Sequence, residues 1–208
     1  MRPLPPSELI GVEGINNLDR FVVAEDLREW IFDTFIADDG ELTNPEHAHL
    51  AEAEIGVLWT NCANARRMRS VIGQAEIMPP QAFGAWQKGR IVQQIVDWFG
   101  CVPDFLLTFS APAAATMDDA SFCALVEHEL YHCAQALDQY GMPKFRKDDG
   151  SPIFAMRGHD VEEFVGVVRR YGAAAAGVSE LVEAAKARPL MSAAEIAGAC
   201  GTCNLKAA

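Results

Sequence analysis

The sequence predicts an α+β fold in which a small sheet is packed by helices. Three short apolar runs rich in β-formers, IGVLWT (55–60), VIGQAEIM (71–78) and DFLLTFS (104–110), read as strands, two of them bounded by prolines. Between and around them, apolar residues recur at helical spacing. The resulting order is helix, strand, strand, helix, strand, helix, helix. It lacks the regular alternation that would mark a parallel α/β sheet.

The elements follow in order along the chain. Residues 1–22 are rich in Pro and Gly and predict a loosely attached N-terminal arm. Residues 23–37 place Leu27, Trp30, Ile31, Thr34 and Phe35 on one face of a first helix, stopped by Asp38-Asp39-Gly40. Pro45 suits the start of a short helix over 46–53. IGVLWT reads as a buried strand. A basic cluster of Arg66, Arg67 and Arg69 precedes the second strand, where Gly73 marks a bulge or a point of close approach. A helix over 82–99 is expected to turn Trp86, Ile91, Ile95 and Trp98 inward. After the third strand, Thr116 is expected to cap a long helix running to about Gln139 and stopping at Gly141-Met142-Pro143. Residues 143–157 read as a loop and 160–171 as a helix ending before Gly172. The tail, 173–208, holds further short helices, with Ser192 and Glu195 in a capping-box pattern. The main domain is therefore expected over 23–172.

Composition narrows the function. The chain has 208 residues, half of them hydrophobic, enough for one domain with a real core. Basic side chains number 17 and acidic ones 29, a formal charge of −12 that opposes general nucleic-acid binding. No apolar run approaches the 18 or so residues of a membrane span, and MRPLPPSELIGVEG lacks the apolar run of a secretory leader. The six cysteines (62, 101, 123, 133, 200 and 203) then read as reduced thiols, and the protein as cytoplasmic.

One motif carries chemistry. Residues 128–132 read His-Glu-Leu-Tyr-His, an H-E-x-x-H pattern inside the long expected helix. Histidines four apart project from one face, so both imidazoles can reach one metal ion. Glu129, adjacent to the first ligand, can lean over a metal-activated water as general base. With five histidines in the chain, a chance match is roughly a one-in-a-hundred event. The alternative, two core histidines without a metal, leaves the glutamate beside them unexplained.

A catalytic zinc site needs a third protein ligand and an open position. The downstream candidates are His159, Asp160, Glu162 and Glu163, in RGHDVEEF. His159 is favoured. Glu163 is the best alternative, since it lies on the following helix. Asp160 or Glu163 could instead orient a ligand histidine through its second ring nitrogen. Tyr131 is expected to face away from the histidines and pack. Tyr140 and Tyr171 are possible oxyanion donors that nothing in the sequence selects. Cys123 and Cys133 read as small core residues. Cys200 and Cys203 form a lone C-x-x-C half-site. His47 and His49, two apart in a helix, diverge and are expected at the surface.

The H-E-L-x-H helix followed by H-D-x-x-E-F on a second helix resembles the minimal zincin metallopeptidases, closest to phage-type metallopeptidases related to the SprT-like (Spartan-type) group. The resemblance covers roughly residues 50 to 172. It implies a zincin-like fold, a Zn2+ cofactor held by His128, His132 and His159, Glu129 as catalytic base, and a protein or peptide substrate. The sequence differs from Spartan-type proteins in having Asp160 where they carry a glycine after the third ligand, and in lacking a second C-x-x-C pair. A non-enzymatic reading is a zinc-bound interaction module, such as a phage or mobile-element factor that sequesters a host protein.

Overall fold

A computed structural model describes residues 1–10, 18–66, 69–81, 84–161, 165–174 and 177–189. The chain runs through β1 (Phe21–Val23), α1 (Glu25–Ile31), a 3-10 stretch Pro45–Glu52, β2 (Ile55–Thr60), β3 (Asn64–Arg66), β4 (Arg69–Val71), β5 (Gly73–Ile77), α2 (Ala85–Phe99), β6 (Phe105–Ser110), α3 (Ala111–Thr116), α4 (Asp119–His132), β7 (Cys133–Gln135), β8 (Phe154–Met156), α5 (Val165–Tyr171) and α6 (Ser179–Lys186). This is the mixed α+β fold the sequence predicts. Among the described residues, no helix is long and apolar enough to cross a membrane.

The main sheet has the order β1-β2-β6-β5. β2 and β6 run parallel, with Ile55 opposite Phe105 and Thr60 opposite Ser110. β1 and β5 flank them antiparallel. IGVLWT is thus an inner strand, paired on both sides and buried along its whole length. Strand alternation then sorts the core. Val57, Trp59, Phe105, Leu107 and Phe109 pack on one face with α1 and α4. Leu58 and Leu106 pack on the other with Ile95 of α2. At the centre, Phe122 of α4 lies 5.8 Å from Trp59 and 5.7 Å from Phe109 between ring centroids. Each such buried ring stabilises the fold by roughly 1.5–3 kcal/mol, so α4 is seated by its N-terminal half.

Several expectations change here. The helix expected from Thr116 to Gln139 is two helices. Ser110 caps α3, its hydroxyl accepting from the Ala113 N–H at 3.4 Å. Met117 is extended, and Asp118 rather than Thr116 caps α4, its Oδ1 accepting from the Ser121 N–H at 2.9 Å. α4 then stops at His132, because the next three residues pair with β8 as β7. The expected 143–157 loop is partly extended: Pro143 bridges Leu137, Phe145 bridges Pro152 across a turn, and Phe154–Met156 form β8. Trp86 is 88% exposed. It precedes Ile91 by five residues, about 140° round the helix from the stripe of Ile91, Ile95 and Trp98. The first ten residues are not loose either: Arg2 is buried and bonds Asp119 at 2.7 Å, the Met117 carbonyl at 2.6 Å and the Ala114 carbonyl at 3.1 Å.

Candidate metal centre

The last turn of α4 and the segment after β8 build the site. His128 and His132, four apart on the helix, present their rings 5.1 Å apart between centroids. His159 closes the group, 5.0 Å from His128 and 5.3 Å from His132 by the same measure. One ligand nitrogen from each ring lies within 4.8 Å of the other two. The His128 and His159 Nε2 atoms are 3.2 Å apart. Two nitrogens bound to one tetrahedral ion at about 2.0–2.1 Å would be separated by about 3.3 Å. The set therefore fits a metal ion well, and it offers three imidazole nitrogen donors with an open side.

Electrostatics favour the metal-binding form. Burial, reinforced by His132 and His159, lowers the His128 pKa to about 4. Burial also lowers that of His132, partly offset by its bond to the Arg157 carbonyl. At neutral pH both rings are uncharged, the form that ligates a cation. Burial grades across the site: Glu129 is 0% and His132 2% exposed, His128 is half-buried and His159 is exposed. The glutamate sits at the floor and His159 at the mouth.

A histidine ligand is commonly steered by a bond to its other ring nitrogen. For His132 Nδ1, among the described residues, that partner is a main-chain carbonyl rather than Asp160. His132 Nδ1 donates to the Arg157 carbonyl at 2.6 Å, which leaves Nε2 for the metal. Asp160 instead binds the Arg157 guanidinium at 2.6 Å, one step further out. Glu162, Glu163, Cys200 and Cys203 lie outside the described residues.

Sequence reasoning missed the support behind the helix. His47 is 1% exposed, not a surface residue. In a 3-10 stretch side chains three apart eclipse, so His47 turns inward with Leu50. Its ring packs edge-on to Tyr131 at 4.7 Å. His49 Nε2 donates to the Cys133 carbonyl at 2.7 Å, just past the end of α4. Asn44 Nδ2 reaches both Glu127 Oε1 and the Tyr131 hydroxyl at 2.9 Å. Tyr131 packs, as expected, and Arg157 lies over its ring. Cys133 is buried in the core and Cys123 packs against it. Tyr140 and Tyr171 are exposed. The only sequence signal for these contacts was the i, i+3 pairing of His47 with Leu50.

An α+β fold whose H-E-x-x-H helix meets a third histidine defines a zincin-type metal-binding site. Residues 28–186 match the family model described as "Putative phage metallopeptidase", and the chain belongs to this phage-type metallopeptidase family. No curated protein and no solved structure matches the chain.

Proposed function

We propose that this protein is a zinc-dependent peptidase in which His128, His132 and His159 hold the ion and Glu129 is the general base. The observation that carries the reading is the convergence of three imidazoles, two of them on the helix that carries the fully buried Glu129. The family match over residues 28–186 supports a peptide or protein substrate. The order of strands and the H-D-x-x-E-F segment support a relationship to SprT-like proteins. The cysteine usage of the chain supports a cytoplasmic setting.

Zinc, when bound, would acidify water and polarise the scissile carbonyl. The rest is the work of the chain. Glu129, held in a dry setting, accepts a proton from the attacking water on its carboxylate and returns it to the leaving amine. The bond from His132 Nδ1 to the Arg157 carbonyl fixes that imidazole's tautomer and aim. The exposed His159 leaves one side of the centre open to a substrate. A segment laid beside an outer strand has β5 available, at the end of the sheet nearest α4.

The test is Glu129→Gln. The variant should keep its metal and its unfolding midpoint while cleavage of an unfolded protein such as casein falls at least 100-fold, the scale of general-base catalysis. Undiminished cleavage sinks the mechanism. A cellular effect that survives the substitution favours an interaction module.

A further inference from the structure

We infer that Gly73 is a positioning residue for Glu129: the missing side chain on β5 is what lets the carboxylate occupy its place on the floor of the site. This rests on the peptidase reading above and extends it to a residue outside the H-E-x-x-H helix. Gly73 is a buried strand residue paired with Phe109. Its backbone does not require glycine, since it is absent from the positive-φ set, which holds Gly100, Gly141, Gly150, Gly172 and Gly177. A glycine inside a strand is otherwise unfavourable, through lost packing and greater chain entropy. The space beside it supplies the reason. A Cβ at 73 would stand 3.0 Å from Glu129 Oε1, 3.3 Å from Glu129 Cγ and 2.9 Å from Leu125 Cδ1.

Leu125 and Glu129 are one helical turn apart, so they face β5 together. Both are buried, at 1% and 0% exposure, and neither can swing into solvent. Two residues further along, Ala75 faces the same way and carries a Cβ. The demand for glycine is thus local to Leu125 and the carboxylate. A methyl group at 73 must displace Leu125 Cδ1 and crowd the carboxylate, so that Glu129, or α4 beneath it, shifts by some tenths of an ångström. Catalytic groups are sensitive to displacements on that scale, and 1 Å can cost about 100-fold.

The experiment is a double-variant cycle on Gly73→Ala, with two readouts. In the zinc-loaded protein, Gly73→Ala should lower kcat about tenfold while KM and zinc content stay at wild-type values. In the metal-free protein, Gly73→Ala should lower the unfolding midpoint when Glu129 is present. In a Glu129→Ala background it should lower the midpoint less, or raise it. That difference isolates the contact with Glu129 from the one with Leu125, which is common to both backgrounds. Equal midpoint shifts in the two backgrounds overturn the inference, as does a wild-type kcat in an active Gly73→Ala enzyme. If the wild type cleaves nothing, the peptidase reading fails and the midpoint cycle still decides whether Gly73 sets the place of Glu129.

Discussion

His132 and Arg157 are tied by two hydrogen bonds that run in opposite directions. The Arg157 N–H donates to the His132 carbonyl at 2.9 Å, and His132 Nδ1 donates to the Arg157 carbonyl at 2.6 Å. The first bond is made by the last residue of α4, where helix carbonyls lack partners within the helix. The second fixes the ring. A reciprocal pair of bonds, one main-chain and one from the ring, therefore links the end of the motif helix to the segment that delivers His159.

This pair predicts an asymmetry between two substitutions at one position. Arg157→Pro keeps the carbonyl that the His132 ring bonds but removes the N–H that anchors this segment to the His132 carbonyl, and by loosening the carbonyl's position should weaken zinc affinity by about 10-fold, the low end of the cost of disturbing a partner that orients a ligand. Arg157→Ala keeps both bonds to His132 and should stay within about threefold of wild type, since it loses only exposed ion pairs with Asp160 and Glu46 and the contact over the Tyr131 ring, none of which touches a ligand histidine. Competition titration against a chromogenic chelator measures both. Equal losses would place the effect in the side chain.

Removing the third donor should be more severe. Zinc at about 100 times its Kd should stabilise the wild type by about 2.7 kcal/mol, and a chelator should abolish that gain. His159→Ala should lose most of the zinc-induced rise in unfolding midpoint and leave the metal-free midpoint unchanged, because His159 is exposed. Zinc content by elemental mass spectrometry should fall from about one ion per chain toward none. Full retention would move the third ligand to Glu163 or a neighbour.

A pH dependence follows from His47, whose pKa burial lowers to about 4, with smaller contributions from His49 and Arg157. Glu127, 4.0 Å away, is too far to hold the ring protonated against that burial. Between about pH 6.5 and 4 the unfolded chain binds a proton at this position that the native one refuses. Stability is therefore complete above pH 6.5 and declines as the pH falls toward 4. His128 and His132 shift in the same direction, so the metal-free protein should lose stability steeply in this window. His47→Gln should reduce the slope of unfolding free energy against pH near 5 by about one proton, read from urea titrations at several pH values. An unchanged slope would show that the ring is already charged in the native state.

What the sequence revealed and what it hid follow the range of the interactions. His128, Glu129 and His132 were legible because their relationship is one helical turn and needs no tertiary information. The strands β2, β5 and β6 were legible as apolar runs between breakers. His159 could be nominated because few donors follow the motif. The end of α4 was hidden, because it is set by pairing of Cys133–Gln135 with residues some twenty positions later. The strand Phe21–Val23 was missed for the same reason, since its partner is β2. The inward turn of His47 depends on a 3-10 rather than an α-helical winding, a choice that composition does not encode. Arg157 acts on His132 through its backbone, which every residue type offers and no sequence pattern can flag.

The stretch between the second and third histidines of the site folds back on itself, with Cys133 opposite Met156 at its base and, at its tip, two reversals, over residues 138–142 and 146–150. The number of residues separating the histidines is thus uncoupled from the geometry they adopt. Residues added or removed at the tip would change the interval from His132 to His159 and leave the clamp at the base in place. Members of this family should therefore vary widely in that interval. A search pattern that fixes it would overlook relatives that one allowing a hairpin of any length would recover.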